Sequence, residues 1–443
     1  MWDLLRVALR NVGRNKRRSL ITALTVFTGV LVIAGTRGLL NGLQDEIRSA
    51  LSQKMHGDVQ LHKAGYQDSI DASPFKVMFR FDEALRQKLR DTPGVAAWSP
   101  RLRVLGLLNH QKSQTTVPVM IQAFDSAAET NVCPRLPASI VQGGMLESAA
   151  ERMARAQRDD DLAEAQFLDS GGPPVKSRAT KNTTGAHRIL VTPGLFRGFQ
   201  AAIGDEVVLL LQDKNNMQQA VVAQIAGVLD YGLPNAQNRM IWMDVGTLAK
   251  TLSLTDEISE LAIRVDRQVT AEAMKALLQE RVGSGLVAET YLDITGFLRD
   301  AIALQNAIFN AIVAIVFLIV VFAIVNTSLM TVLERTREIG TIMALGYQRK
   351  HILFLFLAES AAIGVSGGIA ALLVVVTGIG YLGFSGIRFA LPGQINTTVL
   401  YPTVSAFFLA GVLAMALLSA IAAAFLPAYK ASHMKPVEAL SKA

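Results

Sequence analysis

Four stretches of this chain, residues 20–43, 302–329, 352–384 and 403–426, stay apolar over about the 20 residues a helix needs to cross the hydrocarbon of a bilayer. Inside lipid the backbone must satisfy its own hydrogen bonds, so each stretch is expected to be a helix. The rest of the sequence agrees: 51% of residues are hydrophobic and only 18% charged, with a mean hydropathy of +0.34, greasier than a soluble chain of this size. The net charge of +7 does not point to nucleic acid, because the basic residues gather beside apolar segments rather than along one polar face. The expected fold class is an α-helical membrane protein with four transmembrane helices and an α+β extracytoplasmic domain inserted between the first and second.

Direction follows from the short basic flanks. "RNVGRNKRR" precedes the first segment, "ERTREIGTIMALGYQRKH" joins the second to the third, and "YKASHMKP" follows the fourth. The external loop at 385–402 has only Arg388. Both termini, the 330–351 connection and the 427–443 tail are therefore expected on the cytoplasmic side, and residues 44–301 on the other. Arg37 lies near the outer end of the first span, where its long side chain can snorkel to the headgroups or meet one. The first apolar run is too long for a cleaved signal and lacks a small-residue cleavage site.

Residues 1–19 are amphipathic. Trp2, Leu5, Leu9 and Val12 share one helical face and Arg6, Arg10 and Arg14 another, the pattern of a helix lying in the inner headgroup layer. Past the first span, "LLNGLQDEIRSALSQKM" keeps helical spacing, and "FLRDAIALQNAIF" does the same before the second, so both read as stalks. Between the stalks, "DVQLH", "VPVMIQAF", "EVVLLL", "AVVAQIAGVL", "RMIWMD" and "ELAIRV" read as strands, and "FDEALRQKLRDTPGV" and "TAEAMKALLQERV" as amphipathic helices. A charged insertion near 147–187 ends in a stretch rich in Gly, Pro, Ser and Thr and reads as a mobile loop. "NTT" at Asn182 and at Asn396 reads as ordinary polar loop.

Several chemistries are not supported by any motif. The sequence holds no G-x-x-x-x-G-K-[ST] phosphate loop, no H-E-x-x-H and no G-x-S-x-G. Its single cysteine, Cys133, cannot form an internal disulfide or a four-thiolate zinc site. His56 and His62 near Asp58 lack a third and fourth ligand, and on a short strand they are expected to point to solvent. No metal and no cofactor is expected in this chain, and no catalytic residue. Gly364 and Gly368, and Ala410 and Ala414, are small-xxx-small pairs that let helices approach closely, within one chain or between subunits.

Three pieces of sequence resemble the MacB/FtsX-type permeases, also called type VII ABC transporters: the basic lead-in "ALRNVGRNKRRSLITAL", the run "VLERTREIGTIMALGYQRKHILFLFLAES", and the ending "PAYKASHMKPVEAL". In the external domain, "NGLQDEIRSALSQKMHGDVQLHKAGY", "VMIQAFDSAAETNV" with "IVQGGML", and "ILVTPGLFRGFQAAIGDEVVLLL" resemble the lipoprotein-releasing LolC/LolE-like branch, apart from "QAFD" and the charged insertion. The resemblance implies a multi-pass permease of the bacterial inner membrane. Residues 330–351 would be the coupling helix on which a separate cytoplasmic ABC ATPase dimer docks, with ATP and magnesium held by that ATPase.

On that resemblance the coupling residues would be Glu334, Arg335, Arg337, Glu338, Ile339, Gly340, Leu345, Gly346 and Glu359. Ile339, Ile342 and Met343 would form a small apolar face, Glu334, Arg335, Arg337 and Glu338 would be free for a polar partner, and Gly346 would permit a turn. Glu359 would lie near the inner headgroups within reach of a basic residue of the preceding run. A second permease, identical or homologous, would enclose with this one a cleft lined by Leu40, Leu43, Ile47, Phe297, Ile302 and Phe309, open to membrane lipid. Lipoprotein and a periplasmic carrier would be the further partners. The implied function is mechanotransmission to the periplasmic domain, with extraction of lipoprotein or another amphipathic substrate; the alternatives are an FtsX-like scaffold that activates a cell-wall hydrolase, and a MacB-like efflux component.

Overall fold

The structure, a computed structural model, describes residues 2–14, 16–148, 151, 187–231, 239–283, 285–389 and 398–434. The chain forms two compact units, one of residues 1–46, 300–388 and 399–443, the other of residues 47–299 and 389–398. The charged insertion near 147–187, apart from its ends, and the NTT triplets at Asn182 and Asn396 lie outside the described residues.

The first unit is helical. Helices Lys16–Ala50, Gly296–Glu334, Arg349–Ser385 and Ala406–Ser432 carry the four apolar segments, and each is long and apolar enough to cross a membrane. The fourth begins at Ala406, three residues later than hydropathy suggests, because the Ser405 hydroxyl caps it by accepting from the Phe408 N–H. Their shared core holds Val26, Val30, Ile33, Phe309, Val320, Ile324, Ala371, Ala416 and Ala420. In lipid such a core is held by close van der Waals packing rather than by exclusion of water. Glycine permits that approach: a Cβ on Gly367 would sit 2.5 Å from the Ala23 carbonyl oxygen, and one on Gly364 2.7 Å from the Ala420 Cβ. Gly364 and Gly368 thus pack within the chain, against the fourth helix. Ala410 and Ala414 are exposed, so the fourth helix makes its contact through Val412, Ala416 and Ala420 instead.

The second unit is α+β. Its strands are β1 (Val59–Lys63), β2 (Phe79–Arg80), β3 (Val95–His110), β4 (Thr115–Phe124), β5 (Ile140–Gly143), β6 (His187–Val191), β7 (Glu206–Gln212), β8 (Gln218–Leu229), β9 (Met240–Asp244), β10 (Glu257–Ile258), β11 (Glu260–Val265) and β12 (Leu286–Thr290). Pairing runs from β3 to β4, β9, β6, β8 and β7 and returns to β3. That ring is a small closed barrel, which leaves none of its strands with a free edge. Its interior is filled by Leu102, Val104, Leu108, Ile121, Ile189, Leu209, Ile225 and Ile241.

The long strand β3 also pairs, through Val95–Arg101, with β11, which β1 and β12 extend. Helices Glu83–Arg90 and Ala271–Val282 cover this second sheet with Leu85, Leu89, Met274 and Leu278, residues four apart on one face. Asp82 and Thr270 cap their starts through side-chain bonds to Leu85 N and Ala273 N. Gly283, at φ 81°, ends the second.

The helix contacts make a direct prediction. Gly367→Val should push the first and third helices apart and lower the melting temperature of the purified full chain. Gly378→Val, at a position with nothing within 4 Å of a Cβ, should leave it unchanged. Equal melting temperatures for the two variants would contradict the packing.

Candidate functional site

The charged run between the second and third helices folds in three parts. The second helix keeps Glu334, helix Thr336–Ala344 follows, and the third helix begins at Arg349. Gly346, at φ 95°, makes the turn between the last two by adopting a left-handed backbone that disfavours a side chain. Its N–H donates to the Met343 carbonyl and that of Tyr347 to the Ile342 carbonyl.

The ionic residues of this run pair with the chain itself. Arg18 forks onto Glu334, Nη1 to Oε2 at 2.6 Å and Nη2 to Oε1 at 2.5 Å, the bidentate geometry favoured by guanidinium and carboxylate. Arg14 bonds Glu338. Arg335 donates through Nε to Glu338 at 2.9 Å and through Nη1 to Glu359 at 3.3 Å, and its guanidinium lies 5.9 Å from the centre of the Phe356 ring. The hydrogen bond from Arg335 holds the Glu338 carboxyl below the usual carboxylate range, with Arg14 adding to it.

Glu334, Arg335 and Glu338 thus already have partners within the chain, which the sequence did not show, while Glu334 and Glu338 stay exposed. The apolar side of the short helix is also used internally. Ile339 is buried among Val332, Ile352, Phe356, Ala428 and Ala431, Met343 packs on the same group, and Gly340 is buried beside it. Outward on the segment lie Arg337, Leu345 at 75% exposure, Tyr347 at 49%, Arg349 and Lys350, beside Glu338, Thr341 and Gln348. Tyr347 and His351 meet edge to face at 6.0 Å. Reading by residue type missed Tyr347; its place just after the turn glycine was the available signal.

The proposed cleft residues separate. Phe309 is 5% exposed and sits in the helix core, with Leu40 packed against it; it lines no cleft because the Arg37 guanidinium covers its ring at 5.5 Å. Arg37 donates to Asn306 Oδ1 at 3.1 Å and lies 6.0 Å from the Phe408 ring centre. Gln44 and Gln305 (3.1 Å), Asn41 and the Thr403 carbonyl (3.1 Å), and Thr403 and Asp45 (3.2 Å) pair near it. Leu43, Ile47 and Ile302 are half-buried, and Phe297 is 76% exposed. The second helix also exposes Leu304, Ile308, Ile315, Ile319 and Phe322, one stripe at helical spacing.

The other unit encloses polar groups. Arg101, fully buried, donates to Glu129 (3.0 and 2.5 Å) and to Glu260 (3.2 Å). Gln122 (3.2 Å) and the Tyr66 hydroxyl (2.7 Å) complete Glu260. Burial pushes the Glu260 carboxyl up, but Arg101, Arg103 and the Tyr66 hydroxyl together hold it below its ordinary value. Beside this network lies a cavity of about 270 Å³ lined by His56, Gln60, Tyr66, Arg103, Gln122, Glu260, Met240 and Ile294. His62 does not point to solvent: it is buried, stacks on Tyr66 at 4.8 Å and approaches Glu289 at 3.0 Å. Among the described residues no three His, Cys, Asp or Glu side chains converge as a metal site requires.

Residues 310–436 match the family model described as FtsX-like permease C-terminal, and residues 19–281 match that described as MacB-like periplasmic core domain. The macrolide export ATP-binding/permease protein MacB of Nitrobacter winogradskyi is 29% identical over 298 residues, 64% of this chain and 41% of the relative. MacB of Vibrio parahaemolyticus is 23% identical over 99% of this chain and 60% of its own. The pyoverdine export ATP-binding/permease protein PvdT of Pseudomonas fluorescens is 36% identical over 30% of this chain and 18% of its own. The chain thus spans less than two thirds of the length of each of these curated relatives. The solved periplasmic region of MacB from Actinobacillus actinomycetemcomitans covers 54% of this chain at 9% identity and a TM-score of 0.33, too slight a likeness to add weight.

His56 gives the site a pH signature. Burial, ahead of every other influence, pulls its pKa down to about 4, with Glu260 opposing and Arg101 and Arg103 assisting. The unfolded chain takes up that proton near the ordinary value of about 6.5. Between pH 6.5 and 4 the unfolded state therefore binds more protons, and stability falls as pH falls through that window. Because His56 keeps some exposure, the effect should be about 2 kcal/mol. Unfolding of the full chain followed against pH should be flatter for His56→Gln than for the wild type; identical slopes would show that His56 carries its proton in the fold.

Proposed function

Since the chain belongs to the FtsX-like permeases that carry a MacB-like periplasmic core domain, we propose that it is the membrane part of an ATP-driven export machine. An ATPase outside this sequence docks on the segment from Arg337 to Lys350. The observation that carries this reading is the outward face of that segment. Its one glutamate, Glu338, is paired within the chain, and around it the segment exposes a leucine, a tyrosine and the cations Arg337, Arg349 and Lys350. Aromatic and arginine side chains around an apolar residue are the usual makings of a protein contact. The words "ATP-binding/permease" in the relatives' names support an ATPase working with this permease.

In this reading both termini and the docking segment are cytoplasmic, and two permeases act together. ATP binding and hydrolysis by the ATPase move the docking segment, and the motion passes along the first and second helices to the periplasmic domain. The cargo is amphipathic. The stripe from Leu304 to Phe322 gives either lipid or a second permease an apolar surface to cover. Export of a small molecule is favoured by the relatives' names, which specify macrolide and pyoverdine export; release of a lipid-anchored protein rests on the domain phrases quoted above. The outer face of the barrel, where Leu107 pairs with Leu210 beside Leu105 and Val222, is an exposed apolar patch suited to a periplasmic partner.

Leu345→Asp should weaken capture of the ATPase by the full-length permease about tenfold, as expected when one apolar anchor worth about 1.4 kcal/mol is lost. Lys88→Ala, at an exposed position of the second unit, should leave capture within about twofold. Undiminished capture by Leu345→Asp would move the docking surface elsewhere.

A further inference from the structure

The basic lead-in to the first helix, the charged run after the second and the glutamate of the third are far apart in sequence, yet the fold brings all three into one ionic chain. Arg14 and Arg18 are four residues apart, and so are Glu334 and Glu338. They pair in opposite order, Arg14 with Glu338 between the two short helices and Arg18 with Glu334 between the two long ones. Arg18 also reaches the Thr331 hydroxyl at 3.3 Å. From Glu338 the chain of charges continues through Arg335 to Glu359.

The two halves of this chain differ in kind. Arg335 and Glu359 are buried, so their pairing is obligatory: either charge alone would be stranded. The Arg14 and Arg18 pairs lie at the surface, with side-chain exposures of 57% and 45% for the first and 26% and 46% for the second, where ion pairs are weak, salt-sensitive and readily exchanged. A firm hinge at Arg335 and an openable clasp on the same short segment are what a part with two settled positions needs.

We propose that Arg14 and Arg18 are positioning residues that clasp the segment Glu334–Ala344 to the N-terminal arm, fixing the angle at which Leu345 and Tyr347 are presented, and that opening this clasp accompanies the power stroke. The functional half of the statement rests on the docking role given above; the clasp itself does not. The N-terminal helix Trp2–Arg14, which packs against the third helix, is then a second handle on the docking segment, available to any factor that binds it.

The test uses the full chain in lipid nanodiscs, without ATPase, carrying a nitroxide at Leu345→Cys. The native Cys133 is buried and its burial pushes the thiol pKa up, so it does not compete for the label. Raising salt from about 0.05 M to about 1 M, which shrinks the screening length several-fold, should increase label mobility in the wild type. Arg18→Glu and Glu334→Arg singly should raise mobility at least about twofold at low salt and abolish the salt response, and the double exchange R18E/E334R should restore both. A wild-type label indifferent to salt, or a double exchange as mobile as its parents, overturns the clasp. ATPase capture is read separately on the unlabelled permeases with Leu345 intact: a rescued clasp with no ATPase bound at this segment leaves the clasp standing and removes the docking role.

Discussion

Arg335 has one place to put its charge. It stands where the second helix ends, almost wholly buried, and among the described residues Glu359 of the third helix, Glu338 of the short helix and the ring of Phe356 meet it. A guanidinium withdrawn from water without partners costs several kcal/mol, so this contact dictates much of what surrounds it. It holds the end of the second helix against the start of the third. It turns Ile339 into the core formed by Val332, Ile352 and Phe356. With Gly346 making the turn, Leu345 and Tyr347 face outward beside the exposed cations Arg337, Arg349 and Lys350. The same logic recurs at Arg37, whose charge is absorbed by Asn306 and the rings of Phe309 and Phe408.

The second unit solves a similar problem in water. Strand β3 takes part in both the barrel and the neighbouring sheet, and at Arg101 and Leu102 its two faces are buried on both sides. Leu102 fills the barrel while Arg101 enters the network with Glu129 and Glu260. An ionised group at that depth is tolerated only because every neighbour answers it. The network joins the strands of the two sheets to the helix carrying Glu129, and the adjacent cavity keeps His56 neutral for the same reason of poor solvation.

Much of this was legible beforehand. The four apolar helices declare themselves because lipid allows no other backbone solution, and strands such as β4, β7, β9 and β11 declare themselves by Val, Ile and Leu runs between turn residues. Strand β3 was not legible: Pro100, Arg101, Arg103 and Gly106 interrupt it, and its buried face changes midway. The barrel was hidden because ring closure is a matter of non-local pairing, β7 with β3 and β6 with β8. Between the second and third helices the charged and apolar residues were legible, but their partners within the chain were not. Glu334 and Glu338 look free on a local helix, since the arginines that claim them lie more than 300 positions away. Phe309 looked like cleft lining for the same reason, because the cation that covers it comes from another helix.

The function proposed above makes the chain a lever whose short arm is held by charge and whose long arms are the first and second helices. The most direct test is the distance between nitroxides at Phe297→Cys on two permease copies in the reconstituted complex with its ATPase, measured by pulsed dipolar spectroscopy with and without ATP and magnesium. The account predicts that ATP shifts the distance distribution and that Leu345→Asp abolishes the shift. An unchanged distribution in a complex that continues to hydrolyse ATP and move cargo would contradict it.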